Sequence, residues 1–187
     1  GMGSHWGRSI VKHPDWDLIG AIDTDTELLE NIETISKGVL EEDQIATSIE
    51  EFSRFVEKPD LAVVATPIYS HHSIVREVMG LGINVICEKN MASSVYQGRQ
   101  MVQAALDHPE LMTGTGTQYR YNTHSWTAKK FFLQEDEEAK RVSLGKLGMV
   151  KFDDNGYRGE SRWGWRRFLQ EIYLEDMSVH WFDSIRY

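Results

Sequence analysis

Val85, Ile86 and Cys87 form an apolar run that follows a Gly82 turn and stops abruptly at Glu88-Lys89. So short and unbroken a run predicts a strand covered on both faces, as in a parallel sheet with helices on either side. Asp17 to Ile22 and Leu61 to Thr66 have the same character, and Leu111 to Gly116 reads as a further strand. Helical patterns of about ten to fifteen residues separate them, the alternation of an α/β chain with a doubly wound parallel sheet. In such sheets ligands bind just beyond the carboxyl ends of the strands. Glu88 and Lys89 therefore sit where chemistry is expected.

The connecting segments carry their own punctuation. Ser4 to Val11 reads as a helix stopped by His13-Pro14, and Thr26 to Lys37 as a second with Gly38 as its stop. Ser48 and Glu51 have capping-box spacing and open a helix to about Val56. Lys58-Pro59-Asp60 is a turn, and Ser93 or Ser94 caps a helix that runs to Asp107. Past Gln118-Tyr119-Arg120-Tyr121 the pattern changes. Asn122 to Leu133 reads as a crossover helix, 134–138 as a solvated charge run, and Met149 to Asp153 as a strand of a second domain. The division expected is 1–119 and 120–187.

Charge and composition exclude some functions. Twenty bases against 29 acids give a net charge of −9, which disfavours a general nucleic-acid binder or a protein held on an anionic membrane surface. No apolar run approaches a membrane span in length. Cys87, the one cysteine, permits no internal disulfide and suits a reducing, cytoplasmic setting.

Three groups of residues carry candidate chemistry. Gly1-Met2-Gly3-Ser4-His5-Trp6-Gly7 approximates G-x-G-x-x-G, the turn that brings pyrophosphate against backbone, but Trp6 stands where the third glycine belongs. A glycine-rich cloning remnant would look similar. Asp23, 20 residues after Gly3, matches the carboxylate that accepts bonds from a ribose diol, and it also suits a helix cap. With Asp25 beside it and no arginine near, NAD is favoured over NADP, whose 2′-phosphate it would repel. Thr66-Pro67 forms a loop at a strand tip; His71-His72 lacks a carboxylate or thiol partner, so no metal site is expected. Finally, Asp176, His180 and Asp183 fall on one helical face at i, i+4 and i+7, where a carboxylate can orient an imidazole as a general base. The Trp- and Arg-rich stretch with Trp163, Trp165, Arg162, Arg166 and Arg167 suits sugar rings, core packing or subunit contacts equally.

Together these stretches resemble the glucose–fructose oxidoreductase/inositol dehydrogenase (Gfo/Idh/MocA) family over nearly the whole chain. The resemblance rests on Gly1-x-Gly3, Asp23, Asp60-Leu-Ala-Val-Val-Ala-Thr66-Pro67 with His71, Glu88-Lys89, Gly145-x-x-Gly148 and Asp176-x-x-x-His180-x-x-Asp183. It implies a Rossmann domain followed by an α/β domain with a large, mostly antiparallel sheet, NAD(P) as cofactor, and redox chemistry on a secondary alcohol of a sugar, cyclitol or polyol. By that likeness His180 takes the hydroxyl proton, Asp176 tunes it and Lys89 holds the substrate oxygen. Gly1, Gly3, Ser4, His5, Trp6, Asp23, Thr66, Pro67, His71, Glu88, Lys89 and Gln118 would face the cofactor, and Lys89, Arg120, Trp163, Asp176 and His180 the substrate. A homo-oligomer is expected of the full-length protein.

Asn90 departs from the family's proline, and Gln170-Glu171-Ile172-Tyr173 from its usual glycines. Two other classes remain open: an NAD-dependent glycoside hydrolase and a cofactor-binding regulator without chemistry. The abrupt ends suggest a fragment that lacks a first, central strand, whose loss would leave sheet edges unpaired.

Overall fold

The structure, a computed structural model, describes residues 1–30, 32, 38–133, 149, 151 and 178–186. Among these, α1 (Met2–Lys12) precedes β1 (Ala21–Ile22) and α2 (Thr26–Glu30). A 3₁₀ turn (Glu42–Gln44) leads into β2 (Ile45–Ala46) and α3 (Ile49–Phe55). Then come β3 (Leu61–Val64), α4 (Ile68–Gly80), β4 (Asn84–Cys87), α5 (Val95–Asp107) and β5 (Thr113–Thr115). A second 3₁₀ turn (Gln118–Tyr121), α6 (Thr123–Leu133) and α7 (Ser178–Arg186) follow. Among the described residues the strand pairings are parallel: β1 with β2, and β3–β4–β5 in that order. Parallel strands joined through helices make this an α/β Rossmann fold, as expected.

The strand β4 is central because its sequence leaves no polar face. Val85 lies opposite Ala62 and Thr113, and Cys87 opposite Val64 and Thr115. The core forms on this strand: Val64, Val85 and Cys87 pack with Val75, Val78 and Met79 of α4, Met101 of α5, and Ile83. Asn84 fastens the other end, its Nδ2 donating to the Asp60 carbonyl (2.6 Å) and its Oδ1 accepting from the Met112 amide (2.8 Å). One side chain thus ties together the starts of three strands. Gly82 turns the chain from α4 into β4 at φ +71°, a left-handed geometry that side chains resist.

Caps fall where serine predicts them. Ser94 Oγ accepts from the Gln97 amide (3.2 Å) and Ser48 Oγ from the Glu51 amide (3.1 Å). Glu51 does not complete the expected box on Ser48: its carboxylate accepts from the amide and hydroxyl of Thr47, and those bonds hold it below the usual carboxylate range.

Some expectations are revised. β1 covers only the end of the predicted 17–22 stretch, because its partner β2 supplies just two paired residues and was not foreseen. The first helix begins at Met2, two residues before the expected Ser4, so Gly3 belongs to its first turn and not to a separate loop. Of the 26–37 helix, residues beyond Glu30 other than Ile32 lie outside the described residues, as do the charge run, most of the 149–153 strand, Trp163 and Asp176.

Candidate functional site

The carboxyl ends of β3, β4 and β5 gather the polar residues. The ladder continues past β4, with the Glu88 amide donating to the Val64 carbonyl and the Gly116 amide to the Cys87 carbonyl, both at 2.8 Å. Glu88 is 4% exposed, an expensive place for a carboxylate without donors. Its Oε1 accepts from the Trp6 indole (2.8 Å) and its Oε2 from the Lys89 amide (3.1 Å). Gly116 gives the carboxylate room: a Cβ there would stand 3.0 Å from Oε1. The Lys89–Asn90 peptide that follows is cis.

His71, on the first turn of α4, is 1% exposed. Its Nδ1 lies 2.8 Å from the Asn90 carbonyl and its Nε2 2.7 Å from that of Thr66. A neutral ring donates to one of these and an imidazolium to both. In either state the ring braces the loop after β3 against the loop after β4. Its nitrogens are directed at backbone, which gives His71 a supporting position behind the tips. Pro67 starts α4 at φ −60°, and Ser70 Oγ bridges to Thr66 Oγ1 (2.8 Å) and the Pro67 carbonyl (2.8 Å).

Across the edge, α7 docks on the turn that follows β5. His180 is 2% exposed and its ring stacks on Tyr119 at 4.1 Å between centroids, 13° from parallel. Arg120 grips Asp183 with two bonds, Nε to Oδ2 at 2.9 Å and a terminal nitrogen to Oδ1. That pairing holds the Asp183 carboxyl below its ordinary range against the opposing pull of burial, helped by the Thr117 hydroxyl and by His180. The residue expected to touch substrate, Arg120, is thus engaged with the third member of the expected Asp176-His180-Asp183 face. No local pattern signals this pair, whose members lie 63 positions apart. Tyr119, not singled out from sequence, is the ring that seats the imidazole.

The other residues expected to face a nucleotide lie at the start of α1, after β1 and on the turn after β5. Gly1 caps α1 without a side-chain bond, no acidic residue enters the first turn, and a Cβ at Gly1 would meet nothing within 4 Å. Ser4 is half-buried and His5 exposed, while Gln118 is exposed on the 3₁₀ turn after β5. Asp23 follows β1; its Oδ1 accepts from the Asp25 amide (3.0 Å), and Oδ2 has no partner among the described residues. No cluster of three or more metal-ligating side chains occurs among the described residues, and none of their helices is long and apolar enough to cross a membrane.

Residues 1–115 match the Gfo/Idh/MocA oxidoreductase family with its NAD-binding Rossmann fold. The chain belongs to this family.

Solved structures with the same fold include myo-inositol 2-dehydrogenase from Lactobacillus plantarum (23% identity, TM-score 0.61, 70% of this chain and 37% of that one). Another is GenD2 from gentamicin A biosynthesis in complex with NAD (25% identity, TM-score 0.60, 74% and 37%). A third is scyllo-inositol dehydrogenase from Lactobacillus casei with bound NAD(H) and scyllo-inositol (18% identity, TM-score 0.62, 70% and 37%). The chain thus spans well under half the length of these relatives. No curated protein sequence matches it.

The residues present fit the family's dinucleotide. The first turn of α1 carries no acidic side chain, so its backbone amides would suit an anion. The unpartnered oxygen of Asp23 offers an acceptor for a ribose hydroxyl.

Proposed function

We propose that this Gfo/Idh/MocA chain is the cofactor-binding part of an NAD-dependent oxidoreductase acting on a secondary alcohol of a sugar, cyclitol or related polyol, with residues beyond 119 opening a substrate-covering domain. The observation that carries the reading is one line of contacts along the sheet edge. The Lys89 amide holds Glu88, whose carboxylate lies against Gly116; Thr117 leads from Gly116 into the 3₁₀ turn whose Tyr119 stacks on His180 and whose Arg120 binds Asp183. Lys89 and His180 therefore belong to the same end of the sheet.

Bound NAD would supply the hydride acceptor at its nicotinamide. The α1 amides and Gly3 would receive the pyrophosphate and Asp23 the adenosine ribose, with Ser4, His5, Thr66, Pro67 and Gln118 along the same rim. Asp23 and Asp25 oppose a 2′-phosphate, which favours NAD over NADP. Lys89 would hold the carbinol oxygen and stabilise negative charge growing there, while His180 takes the hydroxyl proton. Asp176 would orient the imidazole, and Trp163 and Arg120 would shape the substrate side. Cys87, buried and unpaired, fits a cytoplasmic setting, and the assembled protein is read as a homo-oligomer.

The test mixes the full-length protein with NAD and a polyol panel and follows nicotinamide reduction. Reduced cofactor should accumulate with at least one polyol. Lys89→Ala and His180→Ala should each lower kcat by about 10²- to 10⁴-fold, the usual reach of a positioned acid or base. Bound NAD with no reduction by any polyol contradicts the reading, and aglycone release without net NADH replaces it with a hydrolase.

A further inference from the structure

Trp6 occupies the place where the nucleotide turn ordinarily has its third glycine, and that substitution has a visible partner. The indole crosses 82 positions of sequence to donate to Glu88 at 2.8 Å. Among the described residues α1 is only partly buried, and the space beside Gly3 is bounded by the Ala65 methyl at 3.8 Å. Apolar packing of that kind is non-directional. The indole bond is directional and charge-assisted.

Glu88 needs the bond equally. At 4% exposure its two oxygens receive one donor each among the described residues, Trp6 on Oε1 and the neighbouring Lys89 amide on Oε2. Gly116, beneath it, brings no side chain to steady the carboxylate. Without Trp6 the group would keep only the bond to its own neighbour, leaving it free to turn and to carry the Lys89 peptide with it.

We propose that Trp6 is a positioning residue: by fixing the Glu88 carboxylate it sets the backbone of Lys89, so the helix start facing the dinucleotide and the strand tip bearing the lysine share one geometry. This rests on the dehydrogenase reading above. It assigns the tryptophan a task that a glycine in the same turn does not perform. It also makes the influence run both ways, since a coupling between two sites is reciprocal.

The direct probe is the set of indole N–H cross-peaks in a ¹H–¹⁵N spectrum of the full-length protein, with Trp6→Phe identifying the Trp6 peak by its loss. Glu88→Gln should shift that peak most among the indoles, because a charge-assisted bond becomes a neutral one. Saturating NAD should shift it in the unmutated protein. In turnover at saturating NAD, Trp6→Phe should lower kcat about tenfold, the reach of one lost bond to a charged group. In a Lys89→Ala background the same change should cost less than about twofold, since two residues acting through one group are not additive. An equal loss in both backgrounds overturns the proposal. So does a rise in the NAD dissociation constant with kcat unchanged, which would confine Trp6 to the cofactor's floor. If Trp6→Phe does not fold, Glu88→Gln decides alone: a dominant shift of one indole peak with reduced kcat supports the bridge, and unmoved indole peaks refute it. Turnover without the indole response removes only the positioning role. An intact indole response with no NAD-dependent turnover by the unmutated protein removes the dehydrogenase reading, and the catalytic role with it, leaving a structural bridge.

Discussion

Separating Arg120 from Asp183 should loosen α7 by a measurable and pH-dependent amount. The pair is bidentate, and its side chains are 33% and 16% exposed. A hydrogen bond to a charged group contributes about 1.5–3 kcal/mol, and screening at the partly exposed guanidinium brings the expectation down to about 1–2 kcal/mol. Arg120→Met and Asp183→Asn, alone and combined, isolate this as a coupling energy in urea denaturation. Each single change should lower the melting temperature by about 2–8 °C at this chain length. The sign with pH follows from the depressed carboxyl of Asp183. A group whose folded-state pKa is lowered adds stability that is fully present above its unfolded value, about 3.9, and is lost as pH falls through the folded value. The advantage of the unmutated protein over Asp183→Asn should therefore be constant near neutrality and shrink below about pH 4. A coupling of zero, or a difference that is the same in acid as at neutral pH, refutes the reasoning.

Three further outcomes follow from packing. Gly20→Ala would set a Cβ 2.0 Å from Cε2 of Phe52 and 2.9 Å from the Gln44 carbonyl, so one methyl should cost about 3 kcal/mol or more in denaturant midpoints. The Cys87 thiol, pushed up to about 12 first by burial and then by the Glu88 charge, should resist alkylation at pH about 8 while folded and react promptly in urea. Asn84→Ala removes both bonds that tie β3, β4 and β5 at their starts and should destabilise by about 1–3 kcal/mol, read by thermal unfolding.

Strand β4 was legible end to end because burial on both faces forces an unbroken apolar run, and Ser94 was legible because a helix start needs an acceptor for its free amides. β2 was not: two residues, Ile45 and Ala46, are too few to show any period. The candidate site divides the same way. Glu88, Thr66 and His71 stood out because strand tips are read from strand ends. What each touches was hidden, since those partners come from folding and not from spacing. The His71 ring turns to the Thr66 and Asn90 carbonyls, Trp6 reaches Glu88, and Arg120 finds Asp183 across 63 positions. Short motifs mark where such residues gather; the pairings among them are tertiary facts.

The most direct test of the central claim is a structure of the full-length protein with NAD and a polyol it oxidises. The account predicts the Lys89 ammonium and the His180 imidazole on one carbinol oxygen, each within about 3 Å, with that carbon facing the nicotinamide. Lys89 and His180 on opposite sides of the bound cofactor, with no substrate atom reached by both, would contradict it.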